Sequence, residues 1–240
     1  MLTLRYDGRR YHGWQVQKNA VTVQQTLQDA VERVTGVRSG IIGCSRTDSG
    51  VHAEMFCCTA DTDSMLRGDD MTAALNANLP RDIAVYGCRE VPEDFHPRYS
   101  ARGKRYLYRI WNSEARNPFW EGLALHLRRP LDAERLDKAA KDYIGTHDFI
   151  SFCSAGSDVK DTVRSVRSCG VIRDGELVTF LVEADGFLYN MVRIMTGTLL
   201  EMAAGKRKYD GIPEIIAAKT RTAAGATAPA CGLILDRVFY

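Results

Sequence analysis

Residues 40–60 read GIIGCSRTDSGVHAEMFCCTA. Short apolar runs at 40–44 and 55–60 predict two strands, because each run is brief and bounded by turn-forming residues. The loop between them carries an arginine, an aspartate, a histidine and a glutamate, and Gly50 permits a tight turn within it. The stretch therefore predicts two consecutive strands joined by a charged loop.

The flanking residues add one helix and one strand on each side. The predicted elements are a strand at 2–6, a helix from Val23 to Val34, a helix at 69–79 and a strand at 82–89. Gly36 and Pro80 are suitable helix ends, since glycine adopts left-handed backbone angles and proline cannot continue a helix. The first hundred residues therefore predict a βαββαβ unit with an antiparallel sheet and helices on one face.

The second half predicts a similar order of elements with insertions. The predicted elements are a strand at 105–111, a helix at 132–144, a hairpin of strands at 163–172 and 177–183, a helix with an apolar face from Phe187 to Met202, a short helix at 210–217 and a strand at 233–238. The methionine-rich face of the long helix is typical of a core. We expect two domains, residues 1–98 and 99–240, with residues 92–101 as the bridge.

Composition limits the class of protein. The chain has 240 residues, of which 45% are hydrophobic and 26% are charged, which is typical of a folded protein with a sizeable core. No run approaches the ~20 apolar residues of a membrane span, and the N-terminus has no apolar signal region. The seven cysteines form no C-x-x-C pair and are odd in number, which favours reduced thiols and a cytoplasmic location.

Charge is distributed unevenly although the net charge is only +2. Residues 98–109, RYSARGKRYLYR, carry five basic residues and three tyrosines and no acid, and the basic residues are Arg98, Arg102, Lys104, Arg105 and Arg109. Further basic runs lie at 5–10 and 206–208. Basic residues interleaved with aromatic residues favour a nucleic-acid partner. A solvated strand with long side chains laid along its surface is the alternative.

The charged loop allows two chemical interpretations. His52 and Glu54 match the H-x-E half of the zinc deaminase signature, but the P-C-x-x-C half is absent, and a mixed site of Asp48, His52 and Glu54 is a weaker alternative. Asp48 is instead a candidate carboxylate nucleophile, ionised at neutral pH and oriented by Arg46. The alternative for Asp48 is an Asx-turn without catalytic function.

The motifs, taken in order, resemble those of the TruA-type tRNA pseudouridine synthases. The matching segments are YDGRRYHGWQVQ at 6–17, SRTDSGVHA at 45–53, ALNANLP at 74–80, VPEDFHPRYSARGKRYLY at 91–108, HDFISF at 147–152, DGFLYNMVRIMTGTLL at 185–200 and GLILDRV at 232–238. Ser49 replaces the alanine that is most common beside the aspartate. The resemblance covers nearly the whole chain.

This resemblance implies an enzyme that converts uridine to pseudouridine at positions 38, 39 and 40 in the anticodon arm of tRNA, working as a homodimer without a metal or cofactor. Asp48 matches the catalytic aspartate and Tyr106 the active-site tyrosine that stacks on the target base. Arg46 matches an arginine near the flipped nucleotide, and Arg193 a basic residue that pairs with the aspartate. His52 is either an RNA contact or a structural histidine.

We therefore expect an α+β fold of two ferredoxin-like or RRM-like halves, with antiparallel sheets joined around a central cleft and helices on the outer face. Arg98, Arg102, Lys104 and Arg105 are the expected RNA-binding residues, holding phosphates of the stem. Two other hypotheses remain, namely an RNA-binding protein without turnover on the same scaffold and a zinc-dependent nucleobase deaminase.

Overall fold

The computed structural model describes residues 1–156 and 159–240, which form two compact units. The first unit comprises residues 1–102 and 234–240, and the second comprises residues 103–233. The C-terminal strand thus belongs with the N-terminal residues. The domains at 1–98, with the aspartate loop, and 99–240, with Tyr106, stay a prediction.

The first unit has the predicted order of strand, helix, strand, strand, helix, strand. Its elements are β1 (Leu2–Tyr6), α1 (Val23–Thr35), β2 (Ile41–Gly43), β3 (His52–Ala60), α2 (Gly68–Asn78) and β4 (Ile83–Cys88). The strands are ordered β4–β1–β3–β2 and neighbours run antiparallel. The charged loop therefore connects two adjacent strands, as its sequence predicts.

Local sequence explains where these elements begin and end. Helix α1 begins after Thr22, whose side-chain oxygen accepts a hydrogen bond from the backbone N–H of Gln25, and it ends at Gly36 with φ of 76°. The strand predicted to start at Met55 starts three residues earlier, at His52. That prediction was wrong because residues 52–54 carry mixed polarity, yet Ala53 pairs with Tyr6 of β1.

The second unit is also a mostly antiparallel sheet with helices. Its elements are β5 (Gly103–Asn112), β6 (Leu125–Leu127), α3 (Ala133–Ala140), β7 (Gly145–Asp148), β8 (Val163–Asp174), β9 (Leu177–Ala184), α4 (Met191–Ala203) and α5 (Ile212–Ala218). Strands β5, β9, β8 and β7 are successive antiparallel neighbours, and β6 runs parallel to β5. The last strand of the chain, β10 (Leu233–Phe239), pairs in parallel with the start of β3 in the first unit. The chain is therefore a mixed α/β protein.

Helix α4 forms much of the core of the second unit. Met191, Met195 and Met202 are buried, so the predicted core role of the methionine face is confirmed. The helix starts at Met191, so Phe187 lies outside it, contrary to the prediction, because Asn190 adopts left-handed backbone angles with φ of 60° and interrupts the helix there. No helix among the described residues is long and apolar enough to cross a membrane.

The segment that follows α5 lies directly against α4, and this contact requires Gly197. A methyl group on Gly197 would come within 1.7 Å of the carbonyl oxygen of Ala226. We expect Gly197→Ala to destabilise the protein by about 1–3 kcal/mol through overpacking, although alanine is the better helix former. Urea unfolding measures the change.

Gly40→Ala is the control for this prediction, because nothing lies within 4 Å of the added methyl group. Its free energy of unfolding should stay within about 0.5 kcal/mol of the wild-type value. If Gly197→Ala were as stable as Gly40→Ala, the close approach of residue 226 to α4 would be wrong.

Candidate active site

Asp48 lies in a tight turn between β2 and β3. The backbone N–H of Val51 donates to the carbonyl oxygen of Asp48 at 3.1 Å, and Gly50 takes the positive φ of 77° that closes the turn. Asp48 itself is half-buried, whereas Arg46, two residues earlier, is exposed. The turn thus presents a carboxylate at the surface of the first unit with a guanidinium close to it in the chain.

A second segment, residues 6–14 (YDGRRYHGW), holds this turn through its backbone. The N–H of Trp14 donates to the carbonyl oxygen of Thr47 at 3.0 Å, and the N–H of Gly50 donates to the carbonyl oxygen of Tyr11 at 3.2 Å. A Cβ on Gly13 would lie 2.4 Å from the oxygen of Thr47. Only a residue without a side chain permits this approach, and Gly13 also has φ of +85°.

A second close approach of the same kind joins Gly8 to Val51. A Cβ on Gly8 would lie 2.0 Å from the carbonyl oxygen of Val51. The N–H of Gly8 donates to Nδ1 of His52 at 3.1 Å. His52 is only 4% exposed, so its surroundings favour the structural interpretation over an RNA contact. We refer to residues 6–14 and 47–52 together as the aspartate cradle.

Buried side chains anchor the cradle to the core. The hydroxyl groups of Tyr6 and Thr47 are hydrogen-bonded at 2.8 Å in a buried environment. Trp14 stacks on Phe56 of β3 with ring centroids 4.0 Å apart. Such packing fixes the side-chain rotamers next to the turn. The backbone that carries Asp48 therefore packs on a rigid aromatic cluster of Tyr6, Trp14 and Phe56.

Tyr106 and Arg193 belong to the second unit. Tyr106 lies on β5, is 5% exposed and packs against Phe187 with ring centroids 4.9 Å apart. Arg193 lies in the first turn of α4. Its Nε donates to the carbonyl oxygen of Ala228 and its Nη1 to the side-chain oxygen of Asn190, both at 2.8 Å. Two bonds therefore fix the orientation of this guanidinium.

Buried Tyr108 shares the surroundings of Arg193. Burial and the nearby Cys231 raise the pKa of the Tyr108 phenol, while Arg193 acts in the opposite direction. The phenol donates to the carbonyl oxygen of Pro229 at 2.8 Å. Tyr108 is thus a neutral donor near Arg193 at physiological pH.

The expected RNA-binding residues do not form one continuous stripe. Along β5, alternate side chains point to opposite faces of the sheet. Lys104 is buried on the same face as Tyr106, whereas Arg105 is half-buried and lies directly opposite Glu183 of β9. Arg98 and Arg102 precede the strand and are exposed. These two remain the most accessible cations of the predicted set.

The metal interpretation of the loop finds no cluster in the described part of the chain. Within residues 1–156 and 159–240, no group of three or more His, Cys, Asp or Glu side chains is placed to hold a metal ion. His52 is buried and Glu54 is exposed, so the two halves of the H-x-E pattern lie in different environments.

The residues that hold the turn were not predicted from the sequence, unlike those that could react. Tyr6, Gly13 and Thr47 were not singled out, nor was Asn190, which binds Arg193. A signal was present in YDGRRYHGW, where two glycines stand among aromatic residues, since such glycines commonly mark a close backbone approach. Which segment they approach could not be read from that pattern.

Asp7 contributes a pH-dependent part of the cradle. Burial raises the pKa of its carboxyl group, but hydrogen bonds from the side chain and the backbone N–H of Arg9 outweigh burial and hold the pKa below the usual 3.8. The ionised form is therefore favoured by folding, and this stabilisation is present above pH 3.8 and is lost as the pH falls through the lowered value.

We expect Asp7→Asn to be less stable than the wild type at pH 7, by less than about 1 kcal/mol because the carboxylate is partly exposed. The difference should shrink as the pH falls below 3.8. Urea unfolding between pH 7 and pH 2.5 measures it, with exposed Asp63→Asn as the control. An equal difference at all pH values would contradict the role of the ionised carboxylate.

The chain was compared with protein-family models and with known proteins, and both comparisons identify its family. The model of the family described as tRNA pseudouridine synthase matches residues 3–100 and 139–240. A tRNA pseudouridine synthase A from Acetivibrio thermocellus is 46% identical over 239 residues, covering 100% of this chain and 98% of that protein. Another from Ruminiclostridium cellulolyticum is 45% identical over 240 residues, again 100% and 98% of the two chains.

A solved Cbf5-Nop10-Gar1 complex aligns with 98% of this chain and 57% of its own chain, at 11% identity and a TM-score of 0.37, too low to support an argument. The family model and the two full-length relatives are sufficient without it. The chain therefore belongs to the tRNA pseudouridine synthase family and is an isomerase that converts uridine to pseudouridine in tRNA.

Proposed function

We propose that this enzyme isomerises uridine at positions 38, 39 and/or 40 in the anticodon stem-loop of tRNA, with Asp48 as the catalytic carboxylate. The observation that carries the proposal is the aspartate cradle, which fixes the backbone on both sides of Asp48. A reactive group gains most from a rigid support, because misplacement by about 1 Å can reduce a rate about 100-fold.

The reaction needs one carboxylate and no cofactor. The glycosidic bond between N1 and C1′ breaks, the uracil rotates, C5 joins C1′, and the hydrogen of C5 leaves as a proton while N1 gains one. Asp48 either attacks C1′ directly or removes the proton from C2′ to give a glycal. Both routes use an ionised aspartate that needs no activating base.

Tyr106 and Arg193 complete the proposed site. We assign Tyr106 the stacking partner of the target base, worth ~1–3 kcal/mol, which offsets part of the cost of base flipping. Because Tyr106 is only 5% exposed, stacking requires the groups that cover its ring to move. We assign Arg193 the charge partner of the catalytic carboxylate, and its two fixed hydrogen bonds suit that role. Arg46 serves the flipped nucleotide.

The wider proposal concerns RNA binding and assembly. Exposed Arg98 and Arg102 suit contacts with phosphates, whereas buried Lys104 and half-buried Arg105 require some rearrangement before they reach RNA. His52 acts on RNA only through the cradle. We further propose two RRM-like halves around a central cleft, a homodimer and a cytoplasmic location. The strand order of the first unit supports an RRM-like half.

Asp48→Asn tests the central assignment. Joining C5 to the sugar expels the hydrogen of C5, so tRNA with 5-tritiated uridine releases tritium during turnover. We expect the wild type to release tritium from the anticodon arm and Asp48→Asn to be slower by at least about 10²–10⁴-fold, because the variant lacks the reacting carboxylate.

Glu54→Gln is the matched control, since Glu54 is an exposed carboxylate near the same turn. We expect it to release tritium at close to the wild-type rate. Loss of turnover in Glu54→Gln with activity retained in Asp48→Asn would reverse the assignment. No release by the wild type, with tRNA still bound, would support an RNA-binding protein without turnover.

A further inference from the structure

A cavity lies in the first unit beside the loop that carries Asp48. Its volume is about 230 Å³, and its lining includes Gln15, Ser45, Arg46, His96, Arg98 and Tyr99. Pockets for drug-sized ligands span about 300–1,000 Å³, so this cavity suits a smaller, flat group. The cavity lies close to the proposed site. Arg46 lines the cavity, and its Cα atom is at most about 7 Å from that of Asp48, because the two residues are only two positions apart.

One wall of the cavity is the exposed ring of Tyr99, which two neighbouring side chains contact. Tyr99 is 76% exposed. The imidazole of His96 lies against its ring with centroids 4.3 Å apart, and the guanidinium of Arg98 lies 5.7 Å from the ring centroid. An exposed tyrosine ring supported by such neighbours is a ready stacking platform for a base.

Backbone hydrogen bonds fix the turn that carries this tyrosine. Nδ1 of His96 accepts the N–H groups of Arg98 and Tyr99, at 3.1 and 3.2 Å. The N–H of Ser100 donates to the carbonyl oxygen of His96 at 2.8 Å, and the N–H of His96 donates to the hydroxyl of Ser100 at 3.1 Å. The platform is therefore ordered before any ligand arrives, which lowers the entropy lost on binding.

The cavity also carries positive charge, on the side chains of Arg46 and Arg98. Within residues 1–156 and 159–240, neither Arg46 nor Arg98 forms an ion pair with a carboxylate. By contrast, Arg9 is paired with Asp7, and Arg207 with Glu201 at 2.6 Å. Two exposed guanidinium groups at one cavity favour an anion, and guanidinium is well suited to phosphate.

We propose that this cavity binds one unstacked nucleotide of the tRNA that directly neighbours the target uridine, with its base on Tyr99 and its phosphate on Arg98 and Arg46. The proposal rests on the proposed function, which places the target uridine at Asp48. The site would hold the strand on one side of the flipped uridine and so keep the helix open during the rotation of the uracil.

A double-mutant cycle tests the pairing of Tyr99 with a base. The ligands are tRNAs that carry a single abasic nucleotide at successive positions around the target uridine. Binding is measured with proteins in the Asp48→Asn background, so that turnover during the measurement is greatly reduced. At one neighbouring position the abasic substitution should weaken binding by about 5- to 150-fold, the range typical of one stacked base.

Tyr99→Ala should abolish that loss, because the base then has no platform, while Tyr99→Phe should keep it. Phe119→Ala is the control for removal of an exposed aromatic ring, since Phe119 is 89% exposed and lies in the second unit. It should leave the loss unchanged. Because Tyr99 is so exposed, Tyr99→Ala should unfold at the wild-type temperature.

An unchanged abasic loss in Tyr99→Ala at every position would overturn the proposal. The proposal would also be wrong if Arg98→Ala weakened binding while Tyr99→Ala and the abasic substitutions had independent effects. The cavity would then bind phosphate alone. In a separate assay, tritium release from intact tRNA is measured with the wild-type enzyme, which retains Asp48. Its absence would refute the proposed function, whereas coupling in the binding cycle would still establish the nucleotide site.

Discussion

The contact between two backbone segments, residues 8–13 and 47–51, is the constraint on which the rest of the site depends. Carbonyl oxygens of the turn lie where Cβ atoms of ordinary residues would be, so the approach requires Gly8 and Gly13. Hydrogen bonds between the segments then replace those that each loop would otherwise make with water. The aspartate that follows Thr47 is thereby carried on a backbone with little freedom.

The polar residues of the chain fall into two groups. Some hold the cradle or orient Arg193, and others are exposed and can contact RNA. His52, Asp7 and Tyr6 form hydrogen bonds within the cradle, and Asn190 orients Arg193. Many basic residues are likewise engaged, as with Arg207 on Glu201. The net charge is only +2 because 32 basic residues are balanced by 30 acidic ones, so the net charge does not indicate where RNA binds. Exposed cations such as Arg46 and Arg98, which have no acidic partner among the residues that the structure describes, are therefore informative positions.

Much of the fold could be predicted from local patterns, because alternating and helical periodicities record which side chains are buried. The start of α4 could not, since left-handed angles at Asn190 depend on its surroundings. Asp48 stood out because a charged loop between apolar strands is unusual. The cradle and the cavity at Tyr99 could not be predicted from spacing, because each joins segments that lie far apart in the chain.

Gly13→Ala tests most directly whether the cradle positions Asp48. Gly36→Ala is the matched control, because Gly36 has a similar φ of +76° but nothing within 4 Å of an added methyl group. Both variants should lose stability from backbone strain, and Gly13→Ala should lose more because its methyl group also meets the carbonyl oxygen of Thr47. At a temperature where both are folded, Gly13→Ala should lower kcat for tRNA about 100-fold with tRNA affinity retained, while Gly36→Ala keeps the wild-type kcat. Equal kcat values in the two variants would contradict the account.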